Sequence, residues 1–277
     1  MSKKTNSTDR TTPRRRKIRL GERDLKILRH VARFRMTTQQ AVHVKFFAGK
    51  HRDAVKSTLR RLCGPHLDLS SKSRPRTGYL QSEQLDARRV YYRLTDRATK
   101  LLGVSKDLAR PLGIQARVHR YAILWFLCID RSGTRVPLNP RDFPDSFPAC
   151  PDRLSRSGFY IEDKKKGETR LGLIIVDSGR HRIRVFRNVA SALDRVLCRG
   201  WLDDFIASRC FDLTVLTLTK TARQGIELGL PDYLRRVLDG QLSRFSTRPD
   251  ETLPFSIRIR VVPGLIDVVP DAPFKKG

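Results

Sequence analysis

Lys56, Ser57 and Arg60 fall on one outer face at helical spacing, with Arg52 and Arg61 at its flanks. Guanidinium, ammonium and hydroxyl groups gathered on one face donate hydrogen bonds to phosphate oxygens and to base edges. Asp53 lies near that face and is the one residue there that would repel phosphate. Val55, Leu59 and Leu62 fall on the other side at i, i+4 and i+7 and give the same helix an apolar back. Lys72, Arg74 and Arg76 form a second basic group in a polar stretch with Gly78, suited to contacts with backbone phosphates.

Other residue sets point to chemistry that is left incomplete. Paired carboxylates that hold Mg²⁺ beside a lysine make a nuclease centre. Pro151-Asp152 and Asp177, at the end of Leu173 to Val176, are the acids for such a pair, but Ser178-Gly179-Arg180 follows in place of the lysine. Glu162-Asp163-Lys164 has the Glu-x-Lys order and stands too close to Asp152. No catalytic residue and no metal ligand is therefore assigned, and a degenerate nuclease-like scaffold is the favoured reading over a live Mg²⁺ nuclease. Tyr91-Tyr92 has the form of paired nicking tyrosines, yet none of the six His residues is clustered to hold the metal that such chemistry uses. Strand alternation, with one ring packed and one exposed, accounts for the pair better. Lys164 to Gly167 reads as a hairpin turn. No Gly-rich phosphate loop occurs, so no nucleotide or other cofactor is expected. Cys63, Cys128, Cys150, Cys198 and Cys210 share no CxxC spacing, which favours buried free thiols and a reducing cytoplasm over disulfides or zinc.

Positioning the basic face takes a set of short elements. Leu25, Leu28 and Val31, with Ile27 and Phe34, set the period of a first helix beginning near Glu22. Met36-Thr37-Thr38 interrupts it, with a threonine as N-cap for a second helix over Gln39 to Phe47. A third helix runs from Arg52 to Leu62 and stops at Gly64-Pro65. Leu67 to Leu69 and Arg88 to Arg93 read as two strands, with Lys72, Arg74, Arg76 and Gly78 in the loop joining them. Three helices followed by a hairpin with a basic tip is the winged-helix plan. A fourth helix opens at Thr95 and ends at Leu102-Gly103.

The expected fold class is α+β, an N-terminal winged helix-turn-helix over 20–104 followed by a mixed α/β domain over 118–270 with the order of a degenerate restriction-endonuclease-like core. A basic tail over 1–19, with Arg14-Arg15-Arg16-Lys17, is too polar to order itself, and 105–117 reads as a linker with Pro111 and Gly113. A nearly apolar helix over Val118 to Asp130 is expected to be buried or to contact another chain, and is the expected homodimer surface. Strands are expected at Gly158 to Asp163, Leu171 to Asp177, Phe211 to Thr219 and Phe255 to Val262, with helices over Val185 to Ser208 and from Gln224 or Pro231 to Leu242.

Net charge agrees with a polyanionic partner. The 277 residues carry 57 Lys and Arg against 28 Asp and Glu, or +29. Residues 1–100 hold 27 basic and 8 acidic groups, a net +19, and the remaining 177 residues hold only +10. Such a surplus favours nucleic acid or an anionic surface. The longest apolar run, Tyr121 to Ile129, falls far short of the roughly 20 residues a spanning helix needs, and the polar N-terminus has no signal-peptide core.

Residues 22 to about 215 resemble the replication-relaxation family of plasmid and mobile-element proteins. The resemblance is carried by Asp24-Leu25-Lys26-Ile27-Leu28, by Tyr91-Tyr92-Arg93-Leu94-Thr95 and by Val118-His119-Arg120. It implies a DNA-binding protein of plasmid or integrative-element replication, maintenance or transfer. The expected partner is double-stranded DNA, bound by Arg52, Lys56, Ser57, Arg60 and Arg61 and by Lys72, Arg74 and Arg76, in a protein without catalysis. A transcriptional regulator fits the same features. A metal-dependent nuclease or relaxosome component, and an RNA-binding protein, are the alternatives.

Overall fold

The first helix, α1 (Glu22–Phe34), buries Ile27, Leu28 and Val31 completely, three positions that fall on one side of a 3.6-residue period. α2 (Gln39–Phe46) begins at Thr38, whose hydroxyl accepts from the Ala41 amide at 3.2 Å. α3 (Arg52–Cys63) turns Val55, Leu59 and Leu62 onto the α1 residues, all fully buried, and ends at Gly64. The computed structural model describes residues 20–64, 78–130, 134–138, 147–148, 158–163, 167–179, 181–198, 200–245 and 253–268. The basic tail over 1–19 and the strand expected at Leu67 to Leu69 lie outside these residues.

A two-stranded antiparallel hairpin follows, β1 (Leu80–Gln84) and β2 (Val90–Leu94), with Leu80 opposite Leu94. Thr37 joins its outer side by two backbone bonds with Tyr92, at 2.9 and 2.8 Å. Here the structure corrects the sequence reading. The partner of β2 is Leu80–Gln84, and the turn of the hairpin is Leu85 to Arg89, not the basic stretch with Lys72, Arg74 and Arg76. β1 reads Leu-Gln-Ser-Glu-Gln, and cross-strand polar contacts hold it: Glu83 accepts from the Tyr91 hydroxyl at 2.5 Å and from Arg93 Nε at 2.6 Å. α4 (Asp96–Leu102) starts after Thr95, whose hydroxyl donates to the Gly78 carbonyl at 2.7 Å instead of capping the helix.

The rest of the fold is three layers. A five-stranded sheet has the order β3 (Arg135–Pro137), β4 (Phe159–Asp163), β5 (Thr169–Val176), β6 (Phe211–Thr217), β7 (Ser256–Val261). The first three strands are antiparallel neighbours and the last three parallel, with helical crossovers between them. α6 (Arg182–Leu197) and α8 (Lys220–Val237) are those crossovers, and the short α7 (Asp203–Ala207) precedes β6. α9 (Asp239–Leu242) and α10 (Leu265–Val268) flank β7 in sequence.

Alternation along β4 marks the layers. Phe159 faces the core made with α6 and α8, and its neighbour Tyr160 faces α5 (Ile114–Cys128), edge-on to Phe126 at 5.3 Å. Tyr160 lies across Gly172, where any Cβ would sit 2.1 Å from the ring, and reaches the Thr214 hydroxyl at 2.9 Å. The helix expected over Val185 to Ser208 is broken between α6 and α7, where Gly200 takes φ 68°.

α5 is occupied within its own chain. Tyr121, Leu124, Phe126 and Leu127 are buried in a cluster with Phe34 at the end of α1 and Met36 beyond it, Leu85 and Tyr91 from the hairpin, and Ile174 and Leu216 from the sheet. This corrects its reading as a homodimer surface. Residues 105–117, read as a linker, carry a 3₁₀ turn (Lys106–Ala109) and the first turn of α5, with Ala109 and Leu112 buried. Cys128 is buried, Cys63 and Cys210 are half-buried, and Cys198 is exposed, contrary to the expectation that all would be covered.

Candidate nucleic-acid interface

α3 has the two faces its sequence describes. Arg52, Lys56, Ser57, Arg60 and Arg61 are exposed, and Val55, Leu59 and Leu62 are fully buried against α1. The Nδ1 of the N-cap residue His51 accepts the Asp53 amide at 3.3 Å, and the Asp53 carboxylate pairs with Lys56 at 3.6 Å. Asp53 therefore shares the charge of Lys56 but leaves the ammonium 60% exposed. Neither Arg52 nor Arg60 makes an ion pair with a described residue.

Arg61 differs from its neighbour. Its guanidinium reaches Asp24 at 2.5 Å, and that carboxylate is 6% exposed and also accepts the Gly21 amide at 2.9 Å. Asp24 stands in the first turn of α1, where the positive end of the helix favours an anion. Arg61 thus ties the end of α3 to the start of α1, a role its position in the basic run did not reveal.

Lys72, Arg74 and Arg76 lie outside the described residues, but the two ends of their segment are placed. Gly64 closes α3 at φ 86°. Tyr79 donates its amide to the Leu62 carbonyl at 2.8 Å, and Gly78 lies so close that a Cβ would meet the Cys63 carbonyl oxygen at 2.1 Å. Gly64 and Gly78, the described residues on either side of 65–77, both stand at the C-terminus of α3.

The hairpin turn faces the sheet domain. Asp86 Oδ1 accepts from the amides of Arg88 and Arg89 at 2.8 and 2.9 Å. Burial opposes ionisation of Asp86, yet these bonds and the Arg89 charge outweigh it and hold the carboxyl below its ordinary range. Arg89 stacks on Tyr121 at 4.8 Å, donates to its hydroxyl at 2.6 Å and to the Gly264 carbonyl at 2.5 Å. Gly264 takes φ 67°, and a Cβ there would press on the guanidinium. Sequence reasoning missed this clamp. The Asp86-x-x-Arg89 spacing signals the turn, but nothing in it identifies Tyr121 or Gly264.

The acids weighed for metal chemistry are engaged elsewhere. Asp152 lies outside the described residues. Glu162 accepts from Arg135 Nε at 3.2 Å and pairs with Arg258. Asp177 accepts from the Gly179 amide at 2.9 Å and from the Thr217 hydroxyl at 3.3 Å. Among the described residues, no three His, Cys, Asp or Glu side chains gather as a metal-holding group. Tyr91 is fully buried, and burial together with its bond to Glu83 pushes its hydroxyl up to about 12, the opposite of an activated nucleophile. Tyr92 is half-buried on the other face.

Comparison with protein-family profiles, curated proteins and solved structures yields no match. Among the described residues, no helix is long and apolar enough to cross a membrane.

Proposed function

We propose that this chain is a non-catalytic double-stranded DNA-binding protein with an N-terminal winged helix-turn-helix, in which α3 enters the major groove. The observation that carries this reading is the division of α3, with exposed Arg52, Lys56, Ser57 and Arg60 in front and buried Val55, Leu59 and Leu62 behind. Three helices, the Thr37 bridge and the β1–β2 hairpin have the order of a winged helix. Contact with phosphates beside α3 is assigned to Lys72, Arg74 and Arg76 on their charge and on the placement of Gly64 and Gly78 at its C-terminus, and the hairpin turn serves the contact with the sheet domain.

The resemblance of Asp24 to Leu28, Tyr91 to Thr95 and Val118 to Arg120 to the replication-relaxation family supports a role in plasmid or mobile-element replication, maintenance or transfer. The sheet order, with α5 on one face and two helices on the other, supports a nuclease-like scaffold. Arginine pairing of Glu162 speaks against its use as a metal ligand in a nuclease.

Competition between labelled duplex DNA and structured RNA tests the reading. Unlabelled duplex is expected to displace the probe at lower concentration than RNA, and preferential displacement by RNA would overturn it. Selection from random duplexes then reads out the site.

A further inference from the structure

α1 carries a second cationic face, turned away from the core. Lys26, Arg29 and Arg33, at i, i+3 and i+7, are exposed on the side opposite Ile27, Leu28 and Val31. Together with Lys45 of α2 they rim a concavity of about 650 Å³ between the helical unit and the edge of the sheet. Among the described residues, its lining holds no Asp or Glu. Glu22 pairs with Lys26 at 2.6 Å in the open, where such a bridge neutralises little, and Asp107, next to Leu108, pairs with Arg110 at 3.2 Å. The floor is apolar and recessed, formed by Phe46, Val104, Leu108 and Pro137, all half-buried.

The field in this groove is felt by a buried neighbour. His30 is pushed down to about 3, first by burial and then by the charges of Lys45 and Arg33. Arg29, Arg33 and Lys45, which make no ion pair with a described residue, around an apolar floor call for a ligand that carries both complements.

We infer that this groove docks an acidic amphipathic segment of a partner protein, carboxylates on the cationic rim and aliphatic side chains on the floor. Nucleic acid fits less well. A duplex presents charged phosphates and no aliphatic side chains to the apolar floor, and base stacking needs open aromatic faces. Phe34 is buried, and half-buried Phe46 is the other aromatic ring of the lining besides His30. The α3 front lies across the α1 core from this groove, so the inference stands apart from the DNA-binding reading.

The test uses the full chain and a fluorescein-labelled peptide of about four helical turns, with Leu along one face and Asp and Glu along the other. Wild type is expected to bind it about tenfold more tightly than a scrambled peptide of equal composition. Arg29→Glu/Arg33→Glu should weaken binding about tenfold, Leu108→Gln should weaken it without changing net charge, and Lys56→Glu/Arg60→Glu should alter it less than about twofold. Equal binding of the scrambled peptide, or equal loss in the α3 variant, reduces the effect to general charge and overturns the inference. Tighter binding of a single-stranded oligonucleotide, lost in Arg29→Glu/Arg33→Glu, overturns it in favour of a nucleic-acid surface.

Discussion

Two groups of arginines and lysines in this molecule live under opposite conditions. Across one face of the sheet, Arg135 pairs with Asp130 and Glu162, Arg258 with Glu162 and Asp212, and Arg170 with Asp212. Three guanidinium groups face three carboxylates, and the Arg135 side chain is 1% exposed. On the α3 front, Lys56 is 60% exposed with one distant carboxylate, and Arg52 and Arg60 have no ion pair with a described residue. The sheet's charges are cancelled inside the fold and hold strands together, whereas those of α3 are left for something outside it. Net charge alone does not separate the two; burial and pairing do.

The largest effect is expected where pairing is tightest. Burial opposes ionisation of Asp212, but hydrogen bonds from Arg170 and Ser256 and the charge of Arg258 outweigh it, and the carboxyl is held below its ordinary value of 3.8. Asp212→Ala leaves the buried Arg170 guanidinium without its carboxylate and half-buried Arg258 with Glu162 alone, and should destabilise the fold by about 3 kcal/mol in denaturant titrations. A depressed carboxyl contributes its full stability above pH 3.8 and loses it as pH falls through the folded value. The mutant should therefore show the flatter acid limb.

His30 provides the next test. Its ring is buried, bonded to the Thr37 hydroxyl at 3.1 Å, and lowered from 6.5 to about 3. The unfolded chain takes up the proton below pH 6.5 while the folded one does not, so stability should fall as pH drops from 6.5 towards 3. His30→Gln removes this slope; an unchanged slope would show that the ring is protonated in the fold.

Arg60 and Arg61 give the smallest and sharpest contrast. Arg61→Ala breaks the tie to buried Asp24 and should lower stability by about 1 kcal/mol. Arg60→Ala should change stability by less than about 0.5 kcal/mol and act on DNA affinity instead. Reversed outcomes would exchange the two roles.

Much of this was legible from period and punctuation. Apolar spacing and Gly64 bound α3, Thr38 marks the start of α2, and the apolar runs give β4 to β7, because each of these signals is local. β1 was not legible, since Leu-Gln-Ser-Glu-Gln has one apolar residue and depends on Tyr91 and Arg93 across the hairpin. β3, Arg-Val-Pro, is too short to show a period. In the site, the exposure of Arg52, Lys56, Ser57 and Arg60 follows from helical geometry. The role of Arg61 depends on an aspartate 37 residues away, and the turn at Arg89 is bound by Gly264 at 175 residues' distance. Neither leaves a trace in neighbouring sequence.

The central claim is that α3 presents its cations to duplex DNA. Anisotropy titrations of a labelled duplex over a range of salt, with wild type and Lys56→Ala/Arg60→Ala, test it most directly. Affinity should fall about tenfold or more in the variant, and the salt slope should become shallower by about 2, one for each phosphate contact removed. Equal affinity and equal slope across the titration would contradict the account.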